Sequence, residues 1–168
     1  MLVVTTLFLF PGLMCFAASS DLVTMTISNR ISLALLAGFA AVALWSGLSL
    51  EVILWHFGCG MTVLTVTFTL FAFGWIGGGD AKLAAATGVW FGFAHVVEYS
   101  AVASVLGGLL TLSVIWLRGM TLPPQLASMD WVARLTDKNN GVPYGIALAA
   151  AGLLLYPQTA IWTAATTA

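Results

Sequence analysis

The stretch Trp75-Ile76-Gly77-Gly78-Gly79-Asp80-Ala81-Lys82 decides how the rest of the chain is interpreted. It is a glycine run that ends in a carboxylate and a cation, and it lies between two long apolar segments. Only 7% of the residues of the chain are charged, so these two charges stand out. A carboxylate at membrane depth is costly and by default marks a functional site. Asp80 is therefore the first candidate for a functional residue.

The composition predicts an integral membrane protein. The 168 residues are 61% hydrophobic and have a mean hydropathy of +1.05, whereas soluble domains are roughly 45–50% apolar and about 25% charged. Because a spanning helix takes roughly 20 residues, the chain has room for about six. We predict an all-α bundle of about six transmembrane helices in which residues 1–168 form a single domain. The net charge of −1 and the absence of a basic patch give no indication of a nucleic-acid partner.

Apolar segments separated by polar residues give the approximate bounds of the predicted spans. These are 2–20, 31–48, 52–73, 81–97, 101–117 and 142–162. Residues 98–100 form the predicted link between the fourth and fifth spans, with His95 at the end of the fourth. The longest polar connection is Arg118–Gly141. It is a candidate docking segment.

The placement of charge predicts the orientation of these spans. With six spans, the connections 21–30, 74–81 and 118–141 lie on one side of the membrane. That side holds all five basic residues: Arg30, Lys82, Arg118, Arg134 and Lys138. The other side holds Glu51 and Glu98 and no basic residue. Because Lys and Arg concentrate on the cytoplasmic side, we predict both termini outside and both Asp21 and Asp80 at the cytoplasmic face.

Asp21 and Asp80 are the candidate catalytic pair, since each lies at the cytoplasmic end of an apolar segment. Two carboxylates brought close together cannot both ionise easily, so the pair shares a proton. Such a pair acts as base and acid on a water molecule and needs no separate nucleophile. The alternatives are structural: Asp80 is also a favoured residue for a helix N-cap, and Asp21 is also explained by solvation at the membrane surface.

Neighbouring residues are candidates for binding or support. Gly77 and Gly79 lack side chains, so a substrate backbone can approach them. Lys82 is a candidate partner for a carboxylate or a lipid phosphate. The alternative is that its charge only anchors the chain at the membrane edge. Asn29 either hydrogen-bonds near Asp21 or is a turn residue. His95 and Glu98 share a helix face, but they are too few ligands for a metal, so no metal or other cofactor is predicted.

Three motifs resemble those of one family. Gly77-Gly78-Gly79-Asp80-Ala81-Lys82-Leu83 resembles the GxGDxKL signature of type IV prepilin peptidases, which are intramembrane aspartic proteases. The family's other aspartate is followed eight residues later by the Asn of Ile-Pro-Asn. Here Asp21 precedes Ile27-Ser28-Asn29 at that spacing, with Ser28 in place of the proline. Val142-Pro143-Tyr144-Gly145-Ile146-Ala147 is similar to the opening of the family's last helix.

This resemblance implies a function, and it makes Arg118–Gly141 a candidate docking segment for the substrate or for pilus and secretion assembly proteins. It implies that Asp21 and Asp80 are the catalytic dyad of a peptidase in the inner membrane and that cleavage occurs at the cytoplasmic face. It also implies that the substrate is a prepilin or pseudopilin, which is cut between its basic leader and its hydrophobic helix. Larger members carry a methyltransferase domain with two CxxC pairs, for which this chain lacks the length and the cysteines. The chain resembles the short, peptidase-only form of Flp/Tad pilus systems, and an archaeal preflagellin-type peptidase is the nearby alternative.

Two other classes of function remain open at this point. In a small proton- or ion-coupled transporter, Asp21 and Asp80 would lie in an ion path, although both are predicted at one membrane edge rather than at the midplane. In a non-catalytic membrane component of a secretion or pilus machine, both aspartates would be replaceable. The peptidase hypothesis differs from both because it requires each carboxylate.

Overall fold

The computed structural model describes residues 2–166, and it describes side-chain surroundings for residues 7–164. The chain is helical, with no strand among the described residues. The helices are α1 (Leu2–Thr24), α2 (Asn29–Trp45), α3 (Leu50–Ala72), α4 (Gly78–Arg118), α5 (Pro124–Ala127), α6 (Asp130–Thr136), α7 (Tyr144–Leu155) and α8 (Ala160–Thr166). A short 3-10 helix, Tyr156–Gln158, connects α7 to α8.

The length and composition of these helices suit a membrane. Within residues 2–166, three helical stretches are long and apolar enough to cross one: Leu7–Thr24, Leu50–Ala72 and Gly78–Arg118. Asn29–Trp45 and Tyr144–Gln158 are shorter apolar helices. The prediction of an all-α membrane protein is confirmed.

Aromatic side chains from several helices form the centre of the bundle. Trp90 of α4 is fully buried, and its indole Nε1–H donates to the backbone oxygen of Leu35 in α2 at 3.0 Å. Phe10 of α1 lies between Trp90 and Tyr156, with ring centroids 5.0 Å and 4.5 Å away. These contacts join α1, α2, α4 and the end of α7. Since every helix at the site described below belongs to this group, the aromatic core fixes their relative positions.

Helix α4 folds back on itself at Gly92. The backbone there has φ 61° and ψ −179°, a conformation that glycine adopts far more readily than other residues. The ring of Tyr99 stacks on that of Phe91 with centroids 5.0 Å apart, although eight residues of straight helix would separate them by roughly 12 Å. Residues 78–91 and 93–118 are therefore two antiparallel segments. The predicted link at residues 98–100 is wrong, because the reversal lies at Gly92 and Tyr99 is buried inside the bundle.

Two further boundaries differ from the predicted spans. Helix α1 continues to Thr24, so Asp21 lies in its last turns, and the helix ends where Met25 adopts a φ of 53°. The predicted sixth span breaks within Tyr156–Gln158. Pro157 has no backbone N–H to continue the helical hydrogen bonding, and its ring disfavours the interior of a helix.

The long connection after α4 is tied to the end of that helix by one side chain. Arg118 donates from Nε to the backbone oxygen of Leu135 at 2.9 Å, and from Nη2 to the oxygens of Asn140 and Gly141 at 3.0 Å and 2.9 Å. Helices α5 and α6 lie within this connection. Because α7 begins three residues after Gly141, Arg118 also fixes where α7 starts.

Candidate active site

A cavity of about 270 Å³ lies where the end of α1 meets the start of α4. Its lining comes from two short segments, and it contains both candidate carboxylates: Asp21, Met25, Thr26, Ile27, Gly77, Gly78, Gly79 and Asp80. The two aspartates are 59 positions apart in sequence, and the fold places them on one cavity. The sequence left open whether the first span meets the start of the fourth, and in the structure both line this cavity.

Asp21 is held by the start of α7. The side chain is 5% exposed, and its Oδ2 accepts a hydrogen bond from the backbone N–H of Gly145 at 2.7 Å. Gly145 is the second residue of α7, and the first N–H groups of a helix have no partner within it. The carboxylate therefore satisfies a free helix donor, and this bond fixes the direction in which Asp21 points.

The absence of a side chain at Gly145 leaves room for this contact. A Cβ atom at this position would lie 2.8 Å from both Asp21 Oδ2 and Ile27 Cδ1, and 3.0 Å from Asp21 Cβ. Any larger residue would displace the carboxylate or the helix. Gly145 was not among the predicted site residues. The only signal was its place after Pro143-Tyr144 in the stretch that was interpreted as a helix opening.

Asp80 is held by the first turn of its own helix. The N-cap of α4 is Gly77, and Asp80 is the third residue of the helix. Its carboxylate accepts a hydrogen bond from the backbone N–H of Gly77, which is the geometry of an acidic residue in a capping box. Thus Asp80 supports the helix start without being its N-cap. Its other oxygen, Oδ1, is buried and has no hydrogen-bond partner within the described part of the chain.

The glycines before Asp80 allow close packing around it. A Cβ at Gly77 would lie 2.8 Å from Asp80 Oδ2, and a Cβ at Gly79 would lie 3.1 Å from the Cβ of Ile27. Gly79 thus lets the start of α4 contact the segment that follows α1. Gly77 leaves space for the carboxylate. Both glycines line the cavity, where we expected a peptide to approach.

Lys82 and Asn29 lie outside this cavity and bind each other. Lys82 Nζ donates to Asn29 Oδ1 at 2.9 Å, which ties the start of α2 to the start of α4. Residues two apart on a helix point in very different directions, and Lys82 accordingly points away from the carboxylate of Asp80. The structure therefore brings together four of the six predicted site residues. It places the other two on the neighbouring side of α4.

Asp80 also borders a second, larger cavity. This cavity measures about 470 Å³ and lies between α3, both segments of α4, and α7. Its walls are mostly apolar and include Val66, Ala84, Val96 and Ala147. The carboxylate of Asp80 is thus placed between a small polar cavity shared with Asp21 and a large apolar one.

Comparison with known proteins adds the family. A search of curated proteins and a search of solved structures each gave no match. A family model, described as the type IV leader peptidase family, matches residues 8–112, which is more than half of the chain. The matched region includes Asp21 and Asp80 and ends before Gly145. The chain therefore belongs to the type IV leader peptidase family.

Proposed function

We propose that this protein is a membrane-embedded aspartic endopeptidase that removes the short leader peptide from type IV prepilins or pseudopilins. One observation carries the proposal: Asp21 and Asp80 line the same cavity of about 270 Å³. Membership of the type IV leader peptidase family supports leader peptidase activity in general. The two carboxylates in one cavity support an aspartic mechanism, because such a mechanism uses a pair of carboxyl groups.

The proposed chemistry uses both carboxylates and one water molecule. Two carboxylates that face one cavity share a proton, because like charges at short range oppose double ionisation. The ionised partner removes a proton from water, while the protonated partner donates to the carbonyl oxygen of the scissile bond. Water attacks the carbonyl carbon, and the proton is then passed to the leaving amine. No metal or other cofactor takes part in this scheme.

The residues around the dyad have supporting roles in the proposal. Gly145 holds Asp21 through its N–H, and Gly77 does the same for Asp80. Gly79 lets α4 approach the segment after α1. Asn29 and Lys82 support the site from outside the cavity, since their hydrogen bond fixes the start of α2 to the start of α4.

We further propose that the dyad lies at the cytoplasmic face of the inner membrane and that both termini lie outside. Support comes from the position of the basic residues. Lys82 and Arg30 are at the end of the bundle where Asp21 lies, and Arg118 binds the connection that carries Arg134 and Lys138. Positive charge concentrates on the cytoplasmic side of membrane proteins. The sequence motifs of Asp21 and Asp80 resemble those of type IV prepilin peptidases, which cleave at this face.

Co-expression with a prepilin tests this function. The variants Asp21→Asn and Asp80→Asn remove one ionisable group each at nearly constant volume. Asp137→Asn, in the connection before α7, is the matched control. We expect leader removal to slow by roughly a hundredfold or more in both cavity variants, as for the loss of a general acid or base, and to be unchanged in the control. Processing at the wild-type rate by either cavity variant would exclude the dyad.

A further inference from the structure

We propose that an anionic phospholipid binds between α2, α3 and α4, with its phosphate at Lys82 and an acyl chain in the groove below. This lipid groove is the cavity of about 320 Å³ on the side of α4 away from Asp21. The proposal is independent of the peptidase chemistry, because the groove shares no lining residue with the cavity between the aspartates.

Three helices build the groove from matching stripes. Each helix contributes four residues from one face, within the ranges 29–36 of α2, 57–64 of α3 and 82–89 of α4. In each helix the lining residues recur at three- and four-residue spacing over two turns, so each stripe is roughly 10 Å long. The walls are apolar apart from Asn29, Ser32 and Lys82. Such a slot suits the upper part of an acyl chain.

The polar residues of the groove gather at one end. Lys82 is exposed, and its ammonium group has three N–H donors, of which one binds Asn29. Arg30 follows Asn29 at the start of α2 and adds a second positive charge at this end. A basic pocket between transmembrane helices on the cytoplasmic side is a characteristic binding site for anionic lipid head groups. The charge at the groove end therefore complements a phosphate.

Ser32 gives an independent indication that a polar ligand group belongs here. It lines the groove one turn below Asn29, it is 8% exposed, and its buried hydroxyl has no hydrogen-bond partner within the described residues. Buried hydroxyl groups are normally paired, because leaving one unpaired costs free energy. In the proposed complex, a glycerol or ester oxygen of the lipid is the partner of this hydroxyl, because Ser32 and Lys82 line the same groove.

The rim of the groove faces the bilayer. Leu33 of α2 and Met61 of α3 are 63% and 62% exposed, and they flank the opening. A lipid therefore reaches the groove sideways from its own leaflet. We commit to a phospholipid because an apolar slot with a cation at the membrane edge matches both parts of that molecule.

Lipid retention by the purified protein tests the basic end of the groove, where Lys82 lies. Native mass spectrometry compares phosphatidylglycerol with phosphatidylcholine of the same acyl chains. We expect wild type to retain the anionic lipid preferentially and Lys82→Gln to lose about fivefold of that preference, the effect of one basic residue at a membrane surface. Lys138→Gln removes the same charge from the connection before α7 and should change nothing. Equal retention of both lipids by wild type, or an equal loss in the control, overturns the proposal.

A second pair of variants tests the apolar part and does not alter charge. Leu33→Trp places a large ring at the mouth of the groove, whereas Leu44→Trp places the same ring on α2 outside it, where Leu44 is 67% exposed. We expect Leu33→Trp to reduce retention of phosphatidylglycerol and Leu44→Trp to leave it at the wild-type level. Unchanged retention in Leu33→Trp, with the protein folded, shows that the lipid binds elsewhere on the surface. A wild type that retains lipid but cleaves no prepilin contradicts the peptidase proposal alone.

Discussion

Backbone N–H groups hold both carboxylates of the cavity. Asp21 binds the N–H of Gly145, and Asp80 binds the N–H of Gly77. Lys82, the basic residue nearest to Asp80 in sequence, binds Asn29 instead. A hydrogen bond from a backbone donor fixes a carboxylate without placing a full positive charge beside it. The two acids therefore face the cavity together and retain the mutual repulsion on which the proposed sharing of a proton depends.

Replacement of Gly145 by alanine is expected to reduce leader removal strongly. The new Cβ would lie 2.8 Å from Asp21 Oδ2, so the carboxylate or α7 has to move. A displacement of about 1 Å at a catalytic group costs roughly a hundredfold in rate. The measurement is the rate of prepilin cleavage by the purified variant. Gly141→Ala is the matched control, since nothing lies within 4 Å of its Cβ position. A normal rate for Gly145→Ala would show that its contact with Asp21 has no part in catalysis.

The residue types of the site differ in how well the sequence predicted them. Asp21 and Asp80 stood out because charges are rare in this chain and because both belong to spaced motifs. Gly145 carries no such signal, since its importance arises from a contact with a residue 124 positions away. The sequence also left open whether the side chain of Lys82 points toward the carboxylates, because it does not show which face of α4 meets them.

The reversal within α4 is the feature on which the arrangement of helices depends. At Gly92 the backbone leaves the helical conformation. His56 of α3 contacts the helix just before this point, with its Nδ1 2.7 Å from the backbone oxygen of Val89. The ring of His56 also lies 2.9 Å from the Cβ position of Gly92. One histidine thus supports the break and occupies the space that a side chain would need.

Gly92→Ala is expected to destabilise the fold. It combines an unfavourable backbone conformation with a clash against His56, and a strained backbone of this kind costs about 1–3 kcal/mol. The measurement is the thermal unfolding midpoint in detergent. Gly108→Ala lies in the same helix with open space around its Cβ position, so its midpoint should stay the same or rise. Equal midpoints for wild type and Gly92→Ala would contradict the proposed role of the reversal.

Hydropathy predicted the helical segments well and their breaks poorly. The bounds of α2 and α3 lie within a few residues of the predicted spans. The turn at Gly92 was missed because it lies in an unbroken apolar run, while the polar residues near 98–100 suggested a link. Inside a membrane protein a turn can be buried, and then the backbone conformation of one glycine determines its position rather than local polarity.

Across the whole molecule, the basic residues and the candidate chemistry lie at one end of the bundle. The hydrogen bond of Lys82 joins the start of α4 to the start of α2, and that of Arg118 joins the end of α4 to the connection after it. Glu51 lies at the start of α3, near the opposite end. This asymmetry was predictable, because the order of spans alone assigns each charge to a side. The cavities were not predictable, since they depend on how the helices pack.

The proposed orientation predicts a pattern of chemical labelling. In a background with Cys15→Ser and Cys59→Ala, a cysteine introduced as Glu51→Cys should react with a membrane-impermeant maleimide in intact cells. The exposed Lys138→Cys should react only after the membrane is opened. The Cys15→Ser and Cys59→Ala protein with no introduced cysteine controls for background reaction. The reverse pattern would place the aspartates at the outer face.

The central claim, that Asp21 and Asp80 act as one catalytic unit, is tested most directly by combining their substitutions. The measurement is the rate of prepilin cleavage by the purified variants Asp21→Asn, Asp80→Asn and the double variant. Residues that act as a unit are strongly non-additive, so each single variant should lose nearly all activity and the double variant should lose no more. Losses that multiply in the double variant, or a single variant that retains the wild-type rate, would contradict the claim.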